Sequence, residues 1–181
     1  TVTEVQTCAL PIFGAGARAA EEPLSLARDG YFYVNGKSVT ADGKTYIANQ
    51  MYVEERVPAR RTHPLPIVMV HGGTMSGINF TGTPDGREGW AQYFVRRGYA
   101  VYVVDQPGRG RSGYLPSVYG PARNVESTNS RARFVAQEKS KLWPQAVLHS
   151  QWPGTGELDD PAAQQLAASQ LPAIASFEKQ Q

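Results

Sequence analysis

Residues 103–113 read VVDQPGRGRSG. An apolar, β-branched run ends in Asp105, and Gly108, Gly110 and Gly113 then fall at the G-x-G-x-x-G spacing of a dinucleotide-binding turn. The spacing alone is weak. A dinucleotide site needs its glycines to open a helix whose N-terminus faces the pyrophosphate. It also needs an acidic residue about 20 positions on, at the end of the next strand. Here YLPSVYGPARN follows, and its two prolines and glycine make a helix poor. No strand ends near position 130, and Glu126 lies in a polar stretch. The informative frame is a different one, Asp105-x-x-Gly108-x-Gly110-x-Ser112.

Working outward, residues 67–70 (IVMV) form a continuous apolar run of the kind found in strands buried on both faces of an α/β sheet. The run ends in His71-Gly72-Gly73-Thr74-Met75-Ser76-Gly77. Residues 87–98 (REGWAQYFVRRG) then read as a helix with Trp90, Tyr93, Phe94 and Arg97 on one face, its aromatics toward the core, and Gly98 as the C-terminal stop. YAVYVV, residues 99–104, is the next buried strand. Strand, glycine loop, helix and strand make a βαβ unit, which implies parallel strands and a right-handed crossover. Before it, Asn35-Gly36 and Asp42-Gly43 are turn signals, and residues 45–57 read as one long strand, so the opening is an antiparallel meander. Beyond Tyr114 prolines recur, with Trp143 and Trp152 among them, and no clear sheet strand is visible. The spacing predicts a helix from Arg131 to Leu142 and another from Asp160-Pro161 to about Leu171, with Asp160 as N-cap.

The two strand ends taken together, His-Gly-Gly and then Asp-x-x-Gly-x-Gly-x-Ser, resemble the α/β-hydrolase fold. VHGGTMSG followed by TPDGREGWAQYFVRRGYAVYVVDQPGRGRSG is similar to a group of bacterial esterases within it, over roughly residues 30–114 and back through Gln50-Met51-Tyr52-Val53. The resemblance implies an α/β fold: an antiparallel meander, a parallel βαβ unit, then a helical cap-like region, all incomplete. It implies that the Gly73 backbone N–H, with that of Thr74, belongs to an oxyanion hole. His71, Gly72, Asp105, Gly108, Gly110 and Ser112 would organise the two loops, with Asp105 accepting N–H bonds rather than serving as a triad acid. Trp143 and Trp152 would either line a substrate pocket or pack within the excursion. The substrate class is a small-molecule ester.

Ester hydrolysis on this fold needs a serine on a sharp strand-to-helix turn, then a carboxylate and a histidine. No G-x-S-x-G occurs. Ser76 lies too early, in the oxyanion loop. Position 114, after Ser112-Gly113, is Tyr. Ser150 is flanked by Leu148 and Trp152 where small residues are required. The expectation is therefore a fragment, inactive as it stands, whose nucleophile, acid and base lie beyond Gln181. Amide, lactone or epoxide hydrolysis on the same fold stays open, as does a nucleotide-binding or non-catalytic module.

Composition is ordinary for a globular domain, 41% hydrophobic and 19% charged, which excludes fibrous and disordered classes. At net charge +2 with scattered basic residues there is no electrostatic footprint for nucleic acid. No apolar run has the length of a membrane span. Three separated histidines give no metal-ligand spacing, and no cofactor is implied. VQTCALPI (residues 5–12), which holds the single Cys8, reads as translated sequencing adapter, so residues 1–12 are set apart as an artefact. Residues 13–24 read as a signal-peptide remnant or linker: Ala17-Arg18-Ala19 fits a cleavage site, which points to export. The core segment is then 25–114 and the cap-like excursion 115–181.

Overall fold

The computed structural model describes residues 22–174. Residues 1–12, and the cleavage pattern at Ala17-Arg18-Ala19, lie outside the described part.

The meander is built differently from the expectation. β1 (Leu26–Val34) pairs antiparallel with β4 (Met51–Pro58), while β2 (Lys37–Ala41) pairs with β3 (Lys44–Ala48). Val34 faces Met51 and Lys37 faces Ala48, so the register runs on unbroken from one ladder to the other. The whole is one long hairpin, pinched where Asn35 (φ 64°) and Asn49 (φ 62°) enter the left-handed region. Asn tolerates that region because its side chain bonds nearby backbone. Asn35 Nδ2 does so, donating to the Asn49 carbonyl at 3.3 Å. Residues 45–57 are thus two strands, and Asn35-Gly36 is a pinch rather than a tip. The tip is Asp42-Gly43, with φ of 50° and 69°.

β5 (Ile67–Val70) and β6 (Val101–Asp105) are parallel and joined through α1 (Trp90–Arg96). The sheet order is β1-β4-β6-β5. One face is closed by α1: Met69, Val101 and Val103 pack on Ala91 and Val95, with Phe80, Phe94 and Tyr99 around them. This corrects the expected helix face. Ala91 and Val95 are the small residues that let the helix sit close to the sheet, while Trp90 is 69% and Tyr93 49% exposed. It also corrects β5 as a strand buried on both faces. Val68 and Val70 are 57% and 55% exposed, because among the described residues β5 is the outermost strand and only its α1 face is covered.

After β6 come α2 (Pro116–Tyr119), β7 (Ala122–Arg123), α3 (Ser127–Phe134), α4 (Gln137–Ser140), α5 (Pro161–Ala168) and β8 (Ala173–Ile174). The predicted helix over 131–142 breaks at Ala136, whose φ is 44°. The break lets Val135 and Ala136 both turn into a small cluster with Ala163 and Trp152. β7 and β8 form a short antiparallel ladder that sequence reading did not foresee.

Asp160 caps α5, accepting from the Ala162 N–H at 2.9 Å. The same carboxylate accepts from Trp152 Nε1 at 2.8 Å and from the Gly156 N–H at 2.6 Å. It is 4% exposed. Asp160→Ala removes the cap and orphans two further donors. It is expected to cost about 2–4 kcal/mol, a cap plus the unmet bonds. Limited proteolysis checks this: cleavage within 151–170 should accelerate, while the sheet stays protected.

Candidate active site

Register brings the two loops together. Val70 pairs with Val104, so β5 and β6 end level and deliver His71 and Asp105 side by side. Crevices at the carboxyl ends of parallel strands are where α/β sheets place ligands.

His71 is 4% exposed, and both its ring nitrogens are engaged. Nε2 faces the Gln106 backbone N–H at 3.0 Å. An amide can only donate, so Nε2 accepts and the ring proton sits on Nδ1, which donates to the Gly72 carbonyl at 2.8 Å. Gln106 returns the contact, its Nε2 donating to the His71 carbonyl at 2.7 Å. A ring committed in this way orders the loop and has no free nitrogen for base catalysis.

Asp105 is 0% exposed and lies at the centre. Its carboxylate accepts from the Gly77 N–H at 2.6 Å, the Arg111 N–H at 2.8 Å and Arg111 Nε at 2.8 Å. Gly77 N–H ties the loop after β5 to the end of β6. Ser112, also 0% exposed, accepts from the Tyr52 N–H at 2.8 Å and donates to the Asp105 carbonyl, which binds the turn to β4. Gly110 (φ 44°) is required by space as well as by backbone: an added Cβ would stand 2.5 Å from Asp105 Oδ2. At Gly108 (φ 77°) it would stand 2.9 Å from Ile174 Cδ1. The glycines therefore wrap a carboxylate and a hydroxyl, and only the four-residue α2 follows them. A dinucleotide turn would open a full helix there.

Sequence reasoning assigned no role to Arg111, Glu54 or Gln106. Arg111 bridges Asp105 and Glu54 (Nη1–Oε2 2.5 Å), and its guanidinium lies 4.0 Å over the Tyr52 ring. Their neighbours are polar as well, Glu55 and Arg56 beside Glu54 and Arg109 and Ser112 in the turn, so no sequence signal singled them out.

Burial pushes the Asp105 carboxyl up. The bonds from Arg111 and the Gly77 N–H, with the Arg111 charge, outweigh that and leave it below the usual carboxylate value. Asp160 is lowered in the same way, its donors outweighing burial. A carboxyl depressed in the folded state contributes stability that is full above its unfolded value and is lost as pH falls toward the folded one. Thermal melting between about pH 7 and about pH 3 should therefore be flat above about pH 4 and fall steeply below it.

Gly72 and Gly73 are exposed, and Thr74 and Met75 half-buried. Met75 N–H donates to the Gly72 carbonyl at 3.3 Å, which closes a turn with Gly73 and Thr74 at its corners. Among the described residues neither corner N–H has an acceptor. Thr74 holds φ at 62°, an outlier for a β-branched residue, worth roughly 1–2 kcal/mol of strain.

Trp143 and Trp152 are not brought to this corner. Trp152 belongs to the small cluster around Val135, and Trp143 meets His149 edge-on with centroids 5.8 Å apart. A cleft of about 1220 Å³ does open beside the loop, lined by Ile78, Asn79 and Trp90 on one side and Asp159, Gln165 and Leu166 on the other. Ser150 lies in an irregular segment after a 3-10 turn, with no strand before it.

Level parallel strands carrying two interlocked loops, on a sheet of order β1-β4-β6-β5 with α1 on one face, define an α/β fold of the hydrolase and esterase type. The chain is similar to a "Probable secreted lipase phiG" of Fungal sp. (strain ATCC 74256), 40% identical over 141 residues, which is 78% of this chain and 36% of that protein. It is also similar to the solved structure of a bacterial esterase, with TM-score 0.66 and 27% identity, over 88% of this chain and 54% of that one. The chain thus spans about a third of the lipase and about half of the esterase. No protein-family profile matches it. No helix among the described residues is long and apolar enough to cross a membrane.

Proposed function

We propose that the chain is the N-terminal part of an exported serine carboxylic-ester hydrolase and supplies its oxyanion loop. The observation that carries this is the pair of N–H groups at Gly73 and Thr74 that find no acceptor among the described residues, on a turn at the carboxyl end of β5 whose Gly72 and Gly73 are exposed. Likeness to a lipase and an esterase supplies the reaction class, and the secreted description of the lipase supports export.

In this reading the nucleophile strand pairs with the outer edge of β5, bringing a serine up beside Gly73. The serine hydroxyl attacks the ester carbonyl and gives its proton to a histidine base outside this chain. The carbonyl oxygen becomes an alkoxide that accepts from the two N–H groups, which cost no reorganisation because they are already aimed. Collapse expels the alcohol, which takes the proton from the histidine, and water then releases the acid from the acyl-enzyme. Asp105, His71 and Ser112 take no part in proton transfer. They hold the loop.

Expression of residues 22–181 beside the intact gene product, each assayed with a p-nitrophenyl ester, tests this. The intact protein should turn over and the short chain should not. Turnover by the short chain that Ser150→Ala abolishes would overturn the reading.

A further inference from the structure

Arg109 is the one arginine of this corner that the oxyanion loop and the Asp105 network leave unused. It is 4% exposed, and its Nη1 donates to the Pro172 carbonyl at 2.7 Å. Its Nε is buried with no hydrogen-bond partner among the described residues. Among the described residues no carboxylate lies within ion-pair distance of it. A buried guanidinium without a counter-charge is expensive, and an apolar side chain of similar volume would fill the space at less cost. What the arginine adds is its grip on the Pro172 carbonyl.

That grip has a target. Leu171, the residue before Pro172, donates its N–H to the Thr74 carbonyl at 2.7 Å. Ala173 and Ile174 pair with β7, and Ile174 packs against Gly108. Residues 171–174 therefore form a strap across both glycine loops, fastened to one by Arg109 and to the other by Leu171. Pro172 stiffens it, since it fixes its own φ and restricts Leu171 to extended backbone. Thr74 holds a left-handed conformation that a β-branched residue leaves when released. A return to negative φ would swing its N–H away from the position it now holds.

We propose that Arg109 is a positioning residue for the oxyanion loop, acting through the 171–174 strap to hold Thr74 in place. The proposal rests on the reading of Gly73 and Thr74 as oxyanion donors, and the test separates the two. In the intact protein, Arg109→Met should lower kcat about 10–100-fold while KM stays within about twofold, because the lost alignment matters to the alkoxide and not to the bound ester. Arg109→Lys, which can still reach one carbonyl, should retain more. Amide hydrogen exchange at Leu171 and Met75 should speed up in Arg109→Met. A folded Arg109→Met protein with unchanged exchange at both amides overturns the proposal. Faster exchange with unchanged kcat leaves the strap standing and overturns the oxyanion reading. If Arg109→Met does not fold, Leu171→Pro decides. It deletes the donor to Thr74, with Leu171→Ala as the side-chain control. It should reproduce the kcat loss, and unchanged kcat in a protein where Gly73→Pro still lowers kcat overturns the proposal.

Discussion

On the proposed oxyanion role of Gly73, Gly73→Pro in the intact protein is expected to lower kcat by roughly 10²–10³-fold with KM little changed, the loss that follows removal of one such donor. Proline is the substitution that deletes a backbone N–H, and Gly73 is a fair place for it. Its φ lies outside the left-handed region, and a Cβ there meets nothing within 4 Å. Gly73→Ala keeps the N–H and uses the same open space, so it should keep most of the activity. The contrast between the two, read in steady-state kinetics on one substrate, isolates the N–H from the side chain. Equal kcat for both variants would remove Gly73 from the oxyanion assignment.

Asp105→Ala is expected to have the largest effect on stability, about 3–5 kcal/mol by urea denaturation. The carboxylate is fully buried and satisfies the N–H groups of Gly77 and Arg111 together with the Arg111 guanidinium. Its removal leaves the buried Gly77 amide and the half-buried Arg111 amide without acceptors, at about 1–3 kcal/mol for a fully buried group and less for the other. Arg111 is protected in part, since its side chain is 39% exposed and keeps Glu54. Asp105→Asn retains the shape but gives up the charge-assisted bonds, so it should fall between wild type and alanine. It should also soften the loss of stability below about pH 4. A loss under about 1 kcal/mol for Asp105→Ala would show that the two loops are held mainly by packing.

The parallel βαβ unit was legible because its signals are local: two apolar runs, glycine loops, and a helix between them. The convergence of the two loops was legible as well, because parallel neighbours that end level must place their following residues together. The pinched hairpin was not. Asn35 and Asn49 look like turn formers, and it takes the register on either side of them, with the bond from Asn35 Nδ2 to the Asn49 carbonyl, to show that the ladder continues past them. The buried face of α1 was misread because size was taken for burial. Ala91 and Val95 face the sheet since close approach favours small residues, and Trp90 instead borders the cleft. Arg109 and Arg111 occupy the variable positions of the Asp-x-x-Gly-x-Gly-x-Ser frame. A frame defined by its fixed residues says nothing about the side chains between them, and burial alone distinguishes the two arginines: Arg109 is enclosed and Arg111 lies over Tyr52.

β5 has a consequence for how the chain associates with other chains. Among the described residues its outer edge has no strand beside it, and one of its faces shows Val68 and Val70 to solvent. An apolar edge of this kind is a template that accepts any strand of compatible register, its own or a neighbour's. On the proposed reading, in which a further strand of the same protein closes this edge, folding is a race between intramolecular closure and edge-to-edge association, and chain concentration weighs on the outcome as much as sequence does.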